Sequence, residues 1–344
     1  MILLRFHYIT VDSITLKPLS CRSFQKRMSA KGFILGVFMI LSMGKLLAQQ
    51  DPQFTQYMFN TIYYNPAAAG SDGVTKFSAL HRSQWLGYES SFGGGGAPTT
   101  QLISASAPLF KINSGIGGYV VSDRLGPQTN LEAQVSYAYH RIVKGSKISI
   151  GIRTGLFSQA IDFDKYIPID PNDPLLNKTG KESQVRPDMA IGVFFQREKY
   201  YVGVSLNHMI KSTFDFGLNQ RNALEPHLYI TGGYFYDINL DLKLQFVSLI
   251  KTDLVKTTFD VGAIAFFKDT MWGGLSLRQA EGPTLLLGYS FLKDKSLRAG
   301  YALDYVVSGQ EAKAPTSHEF MVTYVLPATP VLGKKIIRTP RYRH

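Results

Sequence analysis

Strict alternation of apolar and polar residues is the feature that most constrains this chain. In the run Asn130–His140, every second residue from Leu131 to Tyr139 is apolar, and those between are mostly polar. A period of two is that of a β-strand, whose successive side chains point to opposite faces. We therefore predict an all-β protein, with strands over 74–82, 100–109, 116–124, 130–140, 147–156, 189–195, 200–206, 228–236, 240–246, 259–267, 275–277, 285–291, 297–305 and 320–326.

The lengths and connections of these strands favour a membrane barrel over a soluble sandwich. Strands of roughly nine to eleven residues can cross a membrane at a tilt. Tight connections such as 144–146 and 197–199 alternate with the long ones 164–185 and 212–226. Aromatic residues cluster near strand ends, as in interfacial girdles. We predict a transmembrane antiparallel β-barrel of about 14 strands, an even number that closes without an exposed edge.

The polar face of the strands carries charged residues that would point into such a barrel. Charges in a lumen either line a water-filled channel or pair with one another, and pairing is the default in a filled barrel. The residues concerned are Glu132, Arg153, Asp241, Lys243, Asp260 and Arg278.

Composition excludes several other classes of protein. There is no apolar run of about twenty residues, the length that a membrane-spanning helix needs. The formal net charge is +12, yet no Lys/Arg-dense helix or interleaved basic-aromatic patch interrupts the strands, so we predict no nucleic-acid partner. Cys21 is the only cysteine and precedes the strands, which leaves the rest of the chain without thiol chemistry.

The first 48 residues have the proportions of an export signal. Lys26, Arg27 and Lys31 precede an apolar run of about twelve residues, too short to span a membrane. We predict a signal peptide over 1–48, cleaved after Ala48, and Met28 is an alternative start. The mature protein would lie in the outer membrane, with a barrel over 73–328 and a basic periplasmic tail over 329–344.

Residues 49–72 lie between the signal and the first strand, and we predict that they form a short periplasmic helical segment. Asp51 suits an N-cap and Pro52 the first helical turn, while Asn65 is disfavoured in a helix because it precedes Pro66. An apolar stripe at helical spacing would cover either the lumen or a periplasmic partner. It consists of Phe54, Tyr57, Met58, Thr61 and Ile62.

A search for catalytic and ligand-binding motifs finds no set with suitable spacing. The glycines 93–96 lack the Lys-Ser/Thr of a phosphate loop. The acidic residues of loop 162–173 fit no calcium-loop template, and the histidines show no metal-ligand spacing. No serine stands in a nucleophile elbow, although chain order alone leaves a Ser-His-acid set open. We predict no catalytic residue, metal or cofactor.

Three stretches of the chain resemble a known family. They are Asp51-Pro-Gln-Phe-Thr-Gln-Tyr-Met-Phe-Asn, Asn65-Pro-Ala-Ala-Ala-Gly70 and Arg82-Ser-Gln-Trp85, and the tail Arg338-Thr-Pro-Arg-Tyr342 adds to them. They are similar to the signature of PorP/SprF proteins of the Bacteroidetes outer membrane. This resemblance implies a part in type IX secretion, or in holding at the cell surface a secreted protein with a C-terminal sorting domain, in some cases a gliding adhesin.

Two functional hypotheses follow, with different expectations for the lumen. An interaction protein would have a plugged lumen and would bind secretion machinery or cargo, whereas a substrate-specific channel or porin would have an open one. A membrane hydrolase is a third hypothesis and requires a serine and a histidine to converge. Arg82 and Trp85 would either anchor the N-terminal segment or face headgroups and the interface. Candidate partner-binding residues are Phe54, Tyr57, Met58, Ile62, Asn65, Pro66, Arg82, Trp85, Arg338 and Arg341.

Overall fold

The computed structural model describes residues 51–88, 96–165, 178–216, 222–253, 255–279, 281–307 and 313–326. The predicted signal peptide, the predicted tail with Arg338 and Arg341, and most of the glycine run 93–96 lie outside these ranges. Within them, no helix has the length and hydropathy to span a membrane.

Fourteen strands form a closed antiparallel barrel, as predicted. Each barrel strand pairs with the next one along the chain, β7 pairs with β10, and β1 closes the ring against β16 from Lys76 opposite Val325 to Ser83 opposite His318. The strands are β1 (Lys76–Ser83), β2 (Thr99–Leu109), β3 (Ser114–Leu125), β4 (Gln128–Val143), β5 (Ser146–Asp162), β6 (Lys181–Gln196), β7 (Tyr200–Asn207), β8 (Thr213–Phe214), β9 (Asn222–Ala223), β10 (His227–Asp237), β11 (Leu242–Thr252), β12 (Thr257–Phe267), β13 (Met271–Arg278), β14 (Gly282–Phe291), β15 (Leu297–Tyr305) and β16 (Thr316–Val325).

The strands β4, β5 and β6 are 16 or 17 residues long and exceed the predicted length. Their extra length reaches the connection between β7 and β10, where β8 and β9 pair as a separate two-stranded sheet. A small apolar cluster joins this connection to the end of β5; it comprises Phe157, Ile161, Phe163, Phe214, Phe216 and Leu224.

The alternation along each strand separates an apolar outer face from a polar inner face. In β4, Leu131 and Val135 are 46% and 58% exposed, whereas Gln134 and Ser136 are 3% and 0% exposed. A barrel in lipid needs this arrangement because hydrocarbon contacts its outside and the protein itself fills its inside.

The two ends of the barrel differ in their connections. Both ends of the barrel chain and the predicted turns after β4, β6, β10 and β12 lie at one end, the tight-turn end. In the turn after β12, Lys268 and Asp269 have φ of 53° and 50°, and the Thr270 N–H donates to the Phe267 carbonyl at 3.0 Å; positive φ at both central residues is the mark of a type I′ turn. The opposite, long-loop end carries the connections 84–98, 163–180 and 208–226.

Residues 51–72, the luminal segment, contain three short helical turns and no continuous helix. These are the 3₁₀ turns Tyr57–Phe59 and Pro66–Ala68 and the α-helical turn Thr61–Tyr64. The prediction of one amphipathic helix capped by Asp51 is therefore wrong, and Gln56 precedes the first turn. The expected solvent-facing side is also buried, since Gln56 and Asn60 are 0% and 2% exposed.

Candidate functional site: the segment inside the barrel

The luminal segment runs through the barrel from the long-loop end to the tight-turn end. Asp51 contacts His208 and Tyr229, which lie where β7 ends and β10 begins, at the long-loop end. At the other end of the segment, the Ser71 carbonyl accepts a hydrogen bond from Lys147 Nζ at 2.8 Å, next to the turn after β4. The segment thus occupies the lumen along the direction in which the strands cross the membrane.

Two arginines and four carboxylates on the inner wall form the arginine cluster. The Arg82 guanidinium lies 2.7 Å from Asp304, and Arg278 lies 3.0 Å from Asp260 and 2.9 Å from Glu281. Buried charges of this kind persist only when they are paired and hydrogen-bonded. The cluster consists of Arg82, Asp260, Arg278, Glu281, Asp304 and Glu319.

The arginine cluster binds the backbone of the luminal segment as well as its own members. The two Glu319 carboxylate oxygens accept hydrogen bonds from the Thr55 and Gln56 N–H groups at 2.7 and 2.8 Å. Arg278 Nη2 donates to the Phe54 carbonyl at 3.2 Å. Charge-assisted hydrogen bonds are about twice as strong as neutral ones, so this part of the segment is firmly held.

The Thr55 hydroxyl connects the segment to opposite charges within the cluster. It accepts a hydrogen bond from Arg82 Nη1 at 2.6 Å and donates to Asp304 at 2.9 Å. Arg82 is 1% exposed, so it faces the segment and not the lipid headgroups. Of the two alternatives for Arg82, these contacts fit the one in which it anchors the N-terminal segment.

The second half of the segment meets the wall through small residues. A Cβ built on Gly151 would lie 2.3 Å from the Ala67 backbone nitrogen, and one on Gly115 would lie 2.1 Å from the Ala69 carbonyl oxygen. Such distances are too short for any side chain at either glycine. The run Asn65–Gly70 therefore packs backbone against backbone, which explains its small residues.

Hydrogen bonds complete the contacts of this second half. Arg153 Nη1 donates to the Tyr63 carbonyl at 2.7 Å, and Ser205 Oγ donates to the Tyr64 carbonyl at 2.7 Å. Asn65 Nδ2 donates to the Val193 carbonyl at 2.9 Å. The inward placement of Glu132, Arg153, Asp260 and Arg278 is as predicted, whereas Asp241 lies exposed in the turn after β10 and Lys243 is only half-buried.

Near the long-loop end, Asp51 is the centre of a histidine cluster. Its carboxylate lies 2.9 Å from His208 Nε2 and accepts a hydrogen bond from the Tyr229 hydroxyl at 2.6 Å. The other nitrogen of His208 lies 3.0 Å from Asp188. The histidine cluster comprises Asp51, Asp188, His208, His227, Tyr229 and Lys251.

The histidine cluster favours a protonated His208. Burial disfavours the charged imidazole, but the flanking carboxylates of Asp51 and Asp188 raise the pKa of His208 to about 10. Burial likewise opposes ionisation of Asp51, yet His208, His227 and Lys251 hold its pKa well below the ordinary value. The pair is therefore charged at neutral pH.

Two groups of side chains in this region have the spacing of metal ligands. They are Asp51 with His208 and His227, and Glu132 with Asp188 and His208, with donor atoms within 4.8 Å in each group. In both groups each carboxylate already has a partner: Asp51 contacts His208 and Tyr229, Asp188 contacts His208, and Glu132 accepts a hydrogen bond from the Tyr119 hydroxyl. Lys251 Nζ donates to the backbone carbonyl of Asp51 at 3.1 Å.

Serine and histidine do meet in the barrel, but without a third catalytic group. His140 Nδ1 lies 2.7 Å from Ser149 Oγ, and no carboxylate in the described ranges has a recorded hydrogen bond or ion pair with His140. The residues described here therefore show no Ser-His-acid set at this position.

The structure brings most of the predicted site residues into the lumen. Phe54, Tyr57, Met58 and Ile62 are buried there, as are Asn65 and Pro66. Trp85 follows β1 at the long-loop end, where its backbone N–H donates to Ser317 Oγ and its ring contacts Tyr88.

The histidine cluster is the part that sequence reasoning missed. Asp51 lies far along the chain from His208 and His227. The pairing of β7 with β10 places the two histidines side by side, and the passage of the luminal segment through the barrel brings Asp51 to them. No local spacing signals such a group. The one available clue is that His208 and His227 lie just outside two successive predicted strands, 200–206 and 228–236, on the two sides of one long connection.

Comparison with solved structures found proteins of low sequence identity. The toluene transporter TbuX of Ralstonia pickettii is 9% identical, with a TM-score of 0.47 over 77% of this chain and 92% of that chain. Omp33 of Acinetobacter baumannii is 7% identical, with a TM-score of 0.41 over 73% and 98%. A FadL homologue of Pseudomonas aeruginosa is 12% identical, with a TM-score of 0.39 over 80% and 94%. The comparison with curated proteins found no significant match.

The family comparison is specific and covers most of the chain. Residues 46–324 match the model of the type IX secretion system membrane protein PorP/SprF. This range includes the luminal segment and almost the whole barrel. The chain belongs to the PorP/SprF family of type IX secretion system membrane proteins.

Proposed function

We propose that this protein is a non-enzymatic outer-membrane barrel that acts by binding other proteins in type IX secretion. It would either assist secretion or attach to the cell surface a secreted protein with a C-terminal sorting domain, such as a gliding adhesin. Its partners would be the secretion machinery, that cargo, or both, with outer-membrane lipid around the barrel and a signal peptide over 1–48 for export.

One observation carries this proposal, the occupation of the lumen by the luminal segment. The arginine cluster holds Phe54, Thr55 and Gln56 by charge-assisted hydrogen bonds, and close packing on glycines holds Ala67 and Ala69. A channel for steady diffusion would need an open path at these levels. An interaction protein needs only a rigid barrel that displays loops and termini.

This proposal divides the candidate residues into two groups. Phe54, Tyr57, Met58 and Ile62 would stabilise the barrel from within, because the lumen buries them. The partner contacts would come from the connections at the long-loop end and from the basic tail, including Arg338 and Arg341.

Planar-bilayer conductance tests the proposal against the alternative of a substrate-specific channel or porin. The purified protein should give no large steady current, and a variant lacking residues 49–72 provides the control for an emptied lumen. A large steady current through the intact protein would overturn the proposal. Affinity capture from outer membranes should recover secretion subunits or cargo, and reversing the charges of Arg338 and Arg341 should reduce that recovery without affecting insertion.

A further inference from the structure

A cavity of about 430 Å³ lies inside the barrel near the tight-turn end. Its position follows from its lining, which includes Lys76 at the start of β1, Val325 at the end of β16 and Asp269 in the turn after β12. Met58 and Phe59 of the luminal segment also line it. Its size falls within the range of small-molecule sites, about 300–1,000 Å³.

Aromatic rings form much of the lining, and glycines on the wall make room for them. The Trp272 ring lies 5.5 Å from Phe59 and 6.3 Å from Phe266 between ring centroids. A Cβ on Gly288 would lie 2.0 Å from the Trp272 ring, and one on Gly233 would lie 2.2 Å from the Tyr201 ring. Both rings therefore lie directly against the wall, where any side chain larger than that of glycine would collide with them. The cavity lies beside the two rings.

The polar groups of the lining include donors that lack acceptors. Trp272 Nε1 and Arg298 Nε are buried, and neither has a hydrogen-bond partner within the described ranges. A buried donor without an acceptor destabilises the fold. The other cations of the lining, Lys76 and Lys243, have Asp72 and Asp237 within 2.6 and 3.9 Å. Arg298 forms no ion pair with a carboxylate of the described ranges, and Asp72 of the same lining is held by Lys76. Arg298 is therefore the cation of the lining best able to bind an additional anion.

We propose that this cavity binds a small amphipathic carboxylate, with its apolar body against the aromatic rings and its head on Arg298. Arginine is suited to the head because its planar donors match a carboxylate. A peptide fits the cavity less well, because the closed barrel offers no strand edge for main-chain hydrogen bonds. This proposal is independent of the role in secretion.

Trp272 provides a direct reporter for the test. The chain has two tryptophans, so Trp85→Phe leaves Trp272 as the only one, and at 5% exposure it is shielded from lipid by the wall. In lipid nanodiscs, 11-bromoundecanoate should quench this fluorescence saturably, and unbrominated undecanoate should restore it. The uncharged 11-bromoundecanol should quench at least about tenfold less effectively, since it lacks the charge-assisted bond to Arg298.

Arginine variants complete the test. Arg298→Met should weaken the binding of 11-bromoundecanoate by about tenfold, whereas Arg124→Met, which changes an exposed arginine at the opposite end, should leave it unchanged. The proposal is overturned by non-saturating quenching, by equal quenching from the alcohol, or by unchanged binding in Arg298→Met. It is also overturned if an apolar peptide with a free C-terminal carboxylate displaces the probe at lower concentration than undecanoate does.

Discussion

The two halves of the luminal segment are held in the same lumen by different means. Residues 51–60 are bound by charged side chains of the arginine and histidine clusters. Residues 61–71 lie against wall glycines that permit backbone contact, and the wall side chains Arg153, Ser205 and Lys147 donate hydrogen bonds to backbone carbonyls of this half. The first half should therefore respond to changes of charge and pH, and the second half to changes of side-chain size.

The largest effect is expected from removing a charge that the first half needs. Arg278→Met would leave Asp260 and Glu281 without their closest cation and would remove the bond to the Phe54 carbonyl. Breaking a buried ion pair from one side costs about 3–5 kcal/mol. Urea unfolding in lipid vesicles measures this loss of stability.

Lys211→Met is the matched control for the arginine variant. Lys211 pairs with Glu225 at 3.0 Å, but its side chain is 63% exposed, and surface pairs contribute about 0–1 kcal/mol. If the two variants lose equal stability, the charges around the first half do not hold it.

In the second half we expect a smaller loss of stability, which depends on the size of the side chain placed on the wall. Gly151→Ala places a Cβ within about 2.5 Å of Ala67 and Pro66 backbone atoms, and overpacking of this kind costs about 1–3 kcal/mol or more. Protease digestion of folded protein should then cleave the segment faster. Gly273→Ala is the control, since its nearest neighbour would be a Leu287 side-chain atom at 3.5 Å; equal sensitivity of both variants would contradict close packing.

The most local effect is a pH dependence near Asp51, in the first half. Because Asp51 and Asp188 raise the pKa of His208 to about 10, the protonated imidazole stabilises the fold fully below its unfolded pKa of about 6.5. This contribution is lost as the pH rises through about 10. Protease sensitivity near Asp51 should increase between pH 7 and pH 10.5, and His208→Gln should remove that dependence. An unchanged pH profile in His208→Gln would assign the effect to another group.

Much of the barrel was predictable because lipid imposes one rule on each strand: apolar side chains on the outer face alternate with polar side chains on the inner face. The fourteen alternating stretches correspond to the fourteen barrel strands, and the outer face of β4 is apolar as expected. The alternation rule fails at turns. Asp241 continues the alternation of its neighbours in the sequence, but it lies in the turn after β10 and does not point into the lumen.

The luminal segment was harder to predict because its surroundings are protein on every side. Helical periodicity assumes one apolar and one wet face, whereas Gln56 and Asn60 are buried against polar groups of the wall. Arg82 could be named as an anchor from its place on the first strand. Its partners Asp304 and Glu319 come from the last two barrel strands, and only ring closure brings them near.

Cross-linking within the barrel tests most directly whether residues 51–72 occupy the lumen. Ser104 Oγ donates to Asn60 Oδ1 at 3.0 Å, and the chain's only native cysteine is Cys21. In the Asn60→Cys, Ser104→Cys variant, mild oxidation or a short thiol cross-linker in intact membranes should join the two positions within one chain, which shifts its mobility on a denaturing gel. The control Asn60→Cys, Ala133→Cys, with Ala133 on the outer face, should not cross-link. No shift in the first variant, or an equal shift in both, would contradict a segment inside the barrel.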